Sequence, residues 1–329
     1  MELRLLEIVV PSHLGDEVRT RLEPHHALDV WSAVGDDDRT TVRALVPGDQ
    51  AEAVADDLTG RLGSTSGFRL VVLGVETTVP RPSVSADTKI GTGRVSRQEL
   101  YANVARGAQL TWVYVVTVAL SAVVAAIGLL RGDVATVIGA MVIAPLLGPN
   151  MALGLAVTLG DVGLIRTSLR AIAVGLSVAF GLSLFIGVFF EVDPTVPVLA
   201  SRARVDAADA VLAFAAGTVG ALASSRGVSS ALIGVMVAVA LLPPWVSFGL
   251  LLGGGYSASA GGAALLTLTN VTCVNLAAMA TFVGQGIAPR SWWSAERAKR
   301  ATSIALRAWL GLLALLGLLI FALNRWGPA

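Results

Sequence analysis

From Gly107 onward the chain is a succession of apolar segments, each long enough to cross a bilayer, which takes about 20 helical residues. Seven are expected, approximately Ala108–Leu130, Val134–Leu159, Ser168–Phe190, Ala207–Ser225, Val228–Leu252, Gly262–Ile287 and Thr302–Leu323. The 329 residues are 54% hydrophobic and only 14% charged, with a mean hydropathy of +0.73, which excludes an ordinary water-soluble globule. Charge is uneven: 28 of the 47 charged residues precede residue 108. A small soluble part therefore leads into a polytopic α-helical membrane part. The formal net charge of +1 leaves no basic stripe to neutralise phosphates, so nucleic acid is not an expected partner. Cys273 is the only cysteine, which precludes an intrachain disulfide and a cysteine-rich metal site. Met1-Glu2-Leu3-Arg4 does not open a basic and then apolar leader, so no cleaved signal peptide is expected and the first domain should be cytoplasmic.

Residues 1–80 alternate strand-like and helix-like periods in the order βαββαβ. Strands are expected at Arg4–Val10, Ala27–Val34, Arg39–Val46 and Phe68–Thr77, and helices at Gly15–Leu22 and Gln50–Leu62, the latter with Ala51, Val54, Ala55, Leu58 and Leu62 on one face. This is the split βαβ pattern of a ferredoxin-like α+β domain. Gly35-Asp36-Asp37-Asp38 falls where two antiparallel strands need a polar turn, and turn chemistry explains it better than a cation site. His13, His25 and His26 all lie here and read as surface loop residues, which leaves no histidine in the membrane for a proton relay.

Residues 81–107 form a linker and an interfacial helix. Pro80–Val95 is rich in Pro, Ser, Thr and Gly, and Ser96 with Glu99 makes a capping box for an amphipathic helix bearing Leu100, Tyr101 and Val104. Arg94, Arg97 and Arg106 would hold that helix on the anionic inner leaflet. With the N-terminus inside, the inner side receives Lys89, Arg94, Arg97, Arg106, Arg166, Arg170, Arg226, Arg290, Arg297, Lys299, Arg300 and Arg307. Only Arg131, Arg202, Arg204 and Arg325 fall outside, so the C-terminus is expected outside the inner membrane. Trp112, Trp292, Trp293 and Trp326 fall near span ends, as interfacial anchors do.

An internal repeat organises the spans. Ile138–Leu155 aligns with Ile233–Leu250 at an offset of 95 residues and without a gap, and nine of eighteen positions are identical. The same offset maps Arg131-Gly132 onto Arg226-Gly227, span 1 onto span 4 and span 3 onto span 6. Because the unit has an odd number of spans, the second copy must be inverted, as in many secondary transporters. The expected parts are membrane repeat 1 (108–190), an inter-repeat loop (191–206), membrane repeat 2 (207–287), and an interfacial segment with one further span (288–329).

Candidate site residues follow from this arrangement. Pro145, Gly148 and Pro149 interrupt span 2, and Pro243 and Pro244 interrupt span 5, which predicts two discontinuous helices facing a common site. The other reading of these prolines is two packed, kinked helices. Asn150 follows the first break, while its repeat counterpart is Trp245. Span 6 carries Thr267, Thr269, Asn270, Thr272 and Asn275, with Thr267 and Asn270 on one face and Thr272 and Asn275 nearly opposite, so only one of these faces should turn to a site. The other face would bond a neighbouring helix. Asp206 and Asp209 open span 4, Asp206 as a solvated group and Asp209 as a candidate ion or proton site. No other acid and no lysine lies deep in a span, which disfavours a carboxylate-based proton pump. Small residues such as Gly217, Gly220 and Ala221 favour close helix packing and a homo-oligomer. No nucleophile and base pair, P-loop or metal-ligand cluster occurs, so neither an enzyme nor a cofactor is expected.

Val137–Leu155, the Leu241-Leu242-Pro243-Pro244 run, Asn270, the Ser96–Tyr101 entry segment and the small domain before it resemble the bacterial and archaeal membrane-protein family known as domain of unknown function 389. The resemblance covers almost the whole chain. It implies the membrane architecture and marks Pro145, Gly148, Pro149, Asp209, Pro243, Pro244 and Asn270 as family-like positions. The expected function is a transporter or channel-like protein for a small solute or ion, with Asn150, Asn270 and Asn275 as polar contacts and the cytoplasmic domain as regulator. The alternative is a membrane-anchored sensor whose soluble domain binds a ligand or partner.

Overall fold

The computed structural model describes residues 3–25, 27–35, 38–75, 77–78, 97–226, 230–287 and 292–326, and within these no side chain at 49, 230–240, 292–299, 301 or 319–326 enters the description. Expectations at His26, Asp36, Asp37, Lys89, Arg94, Ser96, Gly227, Arg290 and the 80–95 linker lie outside the described residues. So do those resting on the side chains of Ile233–Val239, Trp292, Trp293, Arg297, Lys299, Arg325 and Trp326. The chain divides into two compact units, residues 1–101 with 225–227, and the remainder.

In the first unit four antiparallel strands, β1 (Leu3–Pro11), β2 (Asp29–Val34), β3 (Arg39–Pro47) and β4 (Arg69–Val75), form a sheet in the order β2-β3-β1-β4. Helices α1 (Gly15–Leu22) and α2 (Gly48–Leu62) complete a split βαβ connectivity. The period-two pattern of β1 explains the packing: Leu6, Ile8 and Val10 are fully buried and share a core with Val18 of α1 and with Val54 and Leu58 of α2. The β2–β3 connection is a turn at its described residues. Gly35 N–H donates to Arg39 C=O at 2.7 Å, and Asp38 adopts φ +52°, which aspartate tolerates better than most residues.

Helix α3 (Arg97–Gly107) begins in this unit. Of its two arginines, both expected at the inner leaflet, Arg97 donates through its guanidinium to both carboxylate oxygens of Asp56, at 3.1 and 2.9 Å, and lies 3.7 Å from Glu52. Glu99, expected in a capping box, accepts from Arg4 at 3.1 Å. The Asp56 carboxylate is fixed at contact distance and makes charge-assisted bonds to the Arg97 guanidinium. Arg97→Met should therefore loosen the start of α3 and cost about 1–3 kcal/mol. Urea unfolding of the full chain, followed by proteolysis near residue 97, would read this; an unchanged midpoint would refute it.

Among the described residues four helices of the second unit are long and apolar enough to span a membrane: α4 (Trp112–Arg131), α7 (Val162–Phe189), α9 (Ala207–Ser225) and α11 (Ser257–Gly284). The bent pair α5 (Val134–Ile143) and α6 (Leu147–Leu159) makes a fifth if counted as one span. A short α8 (Pro197–Ala200), α10 (Ser230–Gly253) and α12 (Trp292–Trp326) complete the unit. Large apolar side chains such as Phe189, Val211, Leu212 and Leu318 stand more than 60% exposed, as a lipid-facing surface requires.

Glycine and aspartate make the tight connections. Gly132 and Gly160 close α4 and α6 in the left-handed region, at φ +69° and +68°, and Asp133 and Asp161 immediately cap α5 and α7 through their carboxylates. Hydrogen bonds from the Thr136 hydroxyl and backbone hold the Asp133 carboxyl below the ordinary carboxylate range, so this cap persists at neutral pH and is lost only as pH falls through that depressed value. Asp161 also moves the start of α7 to residue 162, six residues before the apolar stretch begins.

The largest departure from expectation is α10. The first break exists: Pro145 drives Ala144 to φ −66°, ψ 119°, which ends α5, and the two half-helices meet at 51°. Helix α10 instead runs continuously with Pro243 and Pro244 inside it. The repeat alignment explains the difference. Pro145 aligns with Ala240, whereas Pro149 and Pro244 are the aligned pair, so the proline that makes the break is the one that is not repeated. Pro149 itself lies in the first turn of α6, where a missing N–H costs little.

Candidate functional site

The break at Ala144–Leu146 opens onto a buried pair of amides. Asn150, on the first turn of α6, is 2% exposed, and Asn275, on α11, is 1% exposed. Asn150 Nδ2 donates to Leu146 C=O at 2.7 Å and ties the pair to the break. Asn275 Nδ2 donates both to Asn150 Oδ1 at 2.8 Å and to Val271 C=O at 2.9 Å. Two backbone carbonyls, which only accept, thus fix the orientation of both side chains. Asn275 Oδ1 is buried and receives no donor.

Other predicted residues have different places. Gly148 is a packing residue: a Cβ there would collide with the backbone of Gly107, whose carbonyl oxygen closes on it. Thus the end of α3 rests against the first turn of α6. Pro243 and Pro244 are buried in α10, which packs against α5, α6, α7 and α11. Asn270 is 4% exposed and takes no part in the amide pair. Asp209 lies at the start of α9, where its carboxylate accepts from Asp206 N–H at 2.9 Å. This is the reciprocal half of a helix cap, and the acid is not brought to the break. Arg202 is a neighbour whose positive charge Asp209 supports, although burial pushes the guanidinium pKa down.

Both polar faces of α11 are buried, because this helix packs against α6, α10 and α12 and is surrounded by protein. Thr267, Thr269 and Thr272 donate to the carbonyls four residues before them, a local solution available to any helical threonine. The residues missed in the sequence are Gly107 and the contact between α7 and α10. There Ser183 and Gly187 meet Gly249 and Gly253, each pair spaced by four. Trp245 Nε1 donates to Leu176 C=O at 2.7 Å, and its ring packs with Phe180 and Phe248. The four-residue spacing was the available signal. Among the described residues no three of His, Cys, Asp or Glu gather as metal ligands.

These features define a helical membrane-type protein with a small antiparallel sheet domain and, among the described residues, one discontinuous apolar helix pair. The chain belongs to the family described as a domain of unknown function, DUF389, whose match covers residues 141–276, from the last turn of α5 to just past Asn275. It is 34% identical over 316 residues to an uncharacterised protein of Methanocaldococcus jannaschii, an alignment covering 95% of this chain and 97% of that protein. No solved structure matches it significantly.

Proposed function

We propose that the protein is a transporter or channel-like protein that moves a small solute or ion past the break between α5 and α6, with the N-terminal domain as a cytoplasmic regulator. The carrying observation is an interruption of helical backbone in an apolar segment, tied by Leu146 to the buried Asn150–Asn275 pair. Within a bilayer such backbone is tolerated only where protein buries it or where it lines a water-filled cavity. The proposal includes seven spans, an inner-membrane location, an external C-terminus and a homo-oligomer.

Paired contacts support two inverted three-span copies. Asn150 and Trp245 are 95 residues apart, as are Phe180 and Asn275, and Asn150 meets Asn275 just as Trp245 meets Phe180. The same offset relates the approach of Gly154 to Ala278 to that of Gly249 to Ser183. It also relates the left-handed Gly160 to Gly255, at φ +68° and +86°. The middle helix of each copy therefore packs on the third helix of the other, as an intertwined two-fold requires.

Sidedness and flux test the reading. In a Cys273→Ser background, a membrane-impermeant thiol reagent on intact cells should label Ser257→Cys and spare Gly163→Cys; both positions are exposed in the structure. Labelling of both would refute the inversion. Proteoliposomes should then show solute or ion flux that Asn275→Ala lowers. Sustained absence of flux across a broad screen would favour the sensor reading.

A further inference from the structure

Resting on the break as the site, we propose that Asn275 Oδ1 is a ligand for a small monovalent cation, either an alkali-metal ion or ammonium. Both N–H groups of Asn275 are spent, one on Asn150 Oδ1 and one on Val271 C=O. Neither amide can flip without turning an acceptor onto a backbone carbonyl. What remains at the polar end of this chain of bonds is one buried carbonyl oxygen with no donor. A buried acceptor left in that state demands a donor or a positive charge.

The sign of the ligand follows. The start of α6 contributes the positive end of a helix dipole to the break, which alone would favour an anion, but the end of α5 contributes the negative end of another. Pro145 has no N–H, so Met141 C=O lacks its donor four residues on. With the dipoles opposed, the sign is set by the buried Asn275 oxygen and the freed Met141 carbonyl, both acceptors, which favour a cation over an anion. The magnitude of the charge follows as well. No Asp or Glu occurs in α5, α6, α10 or α11, so no carboxylate compensates a divalent ion, whose hard oxygen shell normally includes one. The counterpart pair, Trp245 with Phe180, is aromatic, so the second copy does not repeat the amide pair.

The full chain, purified in detergent, is melted in lithium, sodium, potassium or ammonium chloride and in N-methylglucamine chloride at equal ionic strength. At least one small cation should raise the melting temperature by on the order of 3 °C over the bulky reference when the site is nearly saturated. Asn275→Leu should abolish that rise. Equal melting temperatures in all five salts, or a rise that survives Asn275→Leu, overturn the proposal and assign the acceptor to a buried water. If Asn275→Leu fails to fold, the native Cys273, buried two residues before Asn275, reports instead. The stabilising cation should slow its maleimide labelling, and labelling indifferent to every cation overturns the proposal. Cation binding without flux would leave this site standing and remove the transport reading. Cation-independent flux of a neutral solute would do the reverse.

Discussion

Gly187→Leu should abolish assembly of the membrane unit, while Gly181→Leu on the same helix should leave it intact. At Gly187 even one added carbon would overlap the carbonyl oxygen of Leu250 and sit 2.9 Å from its Cα. The obstacle is backbone on an opposing helix, so no side-chain rotation relieves it. Helix α10 is also held close to α7 at Gly253, where an added Cβ would lie 2.5 Å from the Leu184 carbonyl oxygen, and by the Trp245 bond to Leu176. Separating the helices to admit a leucine would forfeit these contacts together. The expected cost is ~3 kcal/mol or more, at the upper end for overpacking. Gly181 has open space around it, and a leucine there faces outward. Size-exclusion profiles of fluorescent fusions in detergent distinguish the two, and a monodisperse Gly187→Leu protein would show that α7 and α10 do not pack as described.

That contact illustrates which parts of the fold sequence patterns convey. Strands and helices of the first unit are legible because water on one side imposes a period of two or 3.6. In the membrane unit lipid and protein interior are equally apolar, so hydropathy finds a span but not the face it buries. This is why the sequence of α11 assigned one polar face to a site and the other to a neighbouring helix without saying which, and Thr267, Asn270, Thr272 and Asn275 are all buried. The backbone contacts are signalled by small residues rather than by hydrophobicity, and Ser183, Gly187, Gly249 and Gly253 could have been found by their spacing. Gly148 was legible as special but not as to cause, because its partner Gly107 is 41 residues away and belongs to the entry helix. For Asp209, ambiguity of a few residues at the helix start separates a cap from an intramembrane acid, and hydropathy does not resolve that difference.

Pro145→Ala should straighten the α5–α6 pair and remove transport while preserving the folded protein. The chain carries its own control, since the aligned position in α10 is Ala240 and that helix is continuous even with two prolines three and four residues later. Without the ring at position 145, Ala144 is no longer driven from the helical region and Met141 C=O regains a donor. Alanine is also favoured over proline by ~3 kcal/mol in a helix interior, so the substitution should not unfold the unit. Straightening through the 51° bend must shift Leu146, and with it the carbonyl that orients Asn150 and, through Asn150, Asn275. A displacement costing only ~1.4 kcal/mol in ligand binding lowers affinity tenfold, and flux in proteoliposomes at substrate levels below the Kd should fall by about that factor or more. The geometry can be read separately, by the distance between spin labels at Val134→Cys and Val162→Cys, two exposed positions flanking the pair, in the Cys273→Ser background. That distance should lengthen by a few ångström in Pro145→Ala. A lengthened distance with full flux would detach function from the break, and an unchanged distance would mean that Gly148, pressed against Gly107, holds the bend without the proline.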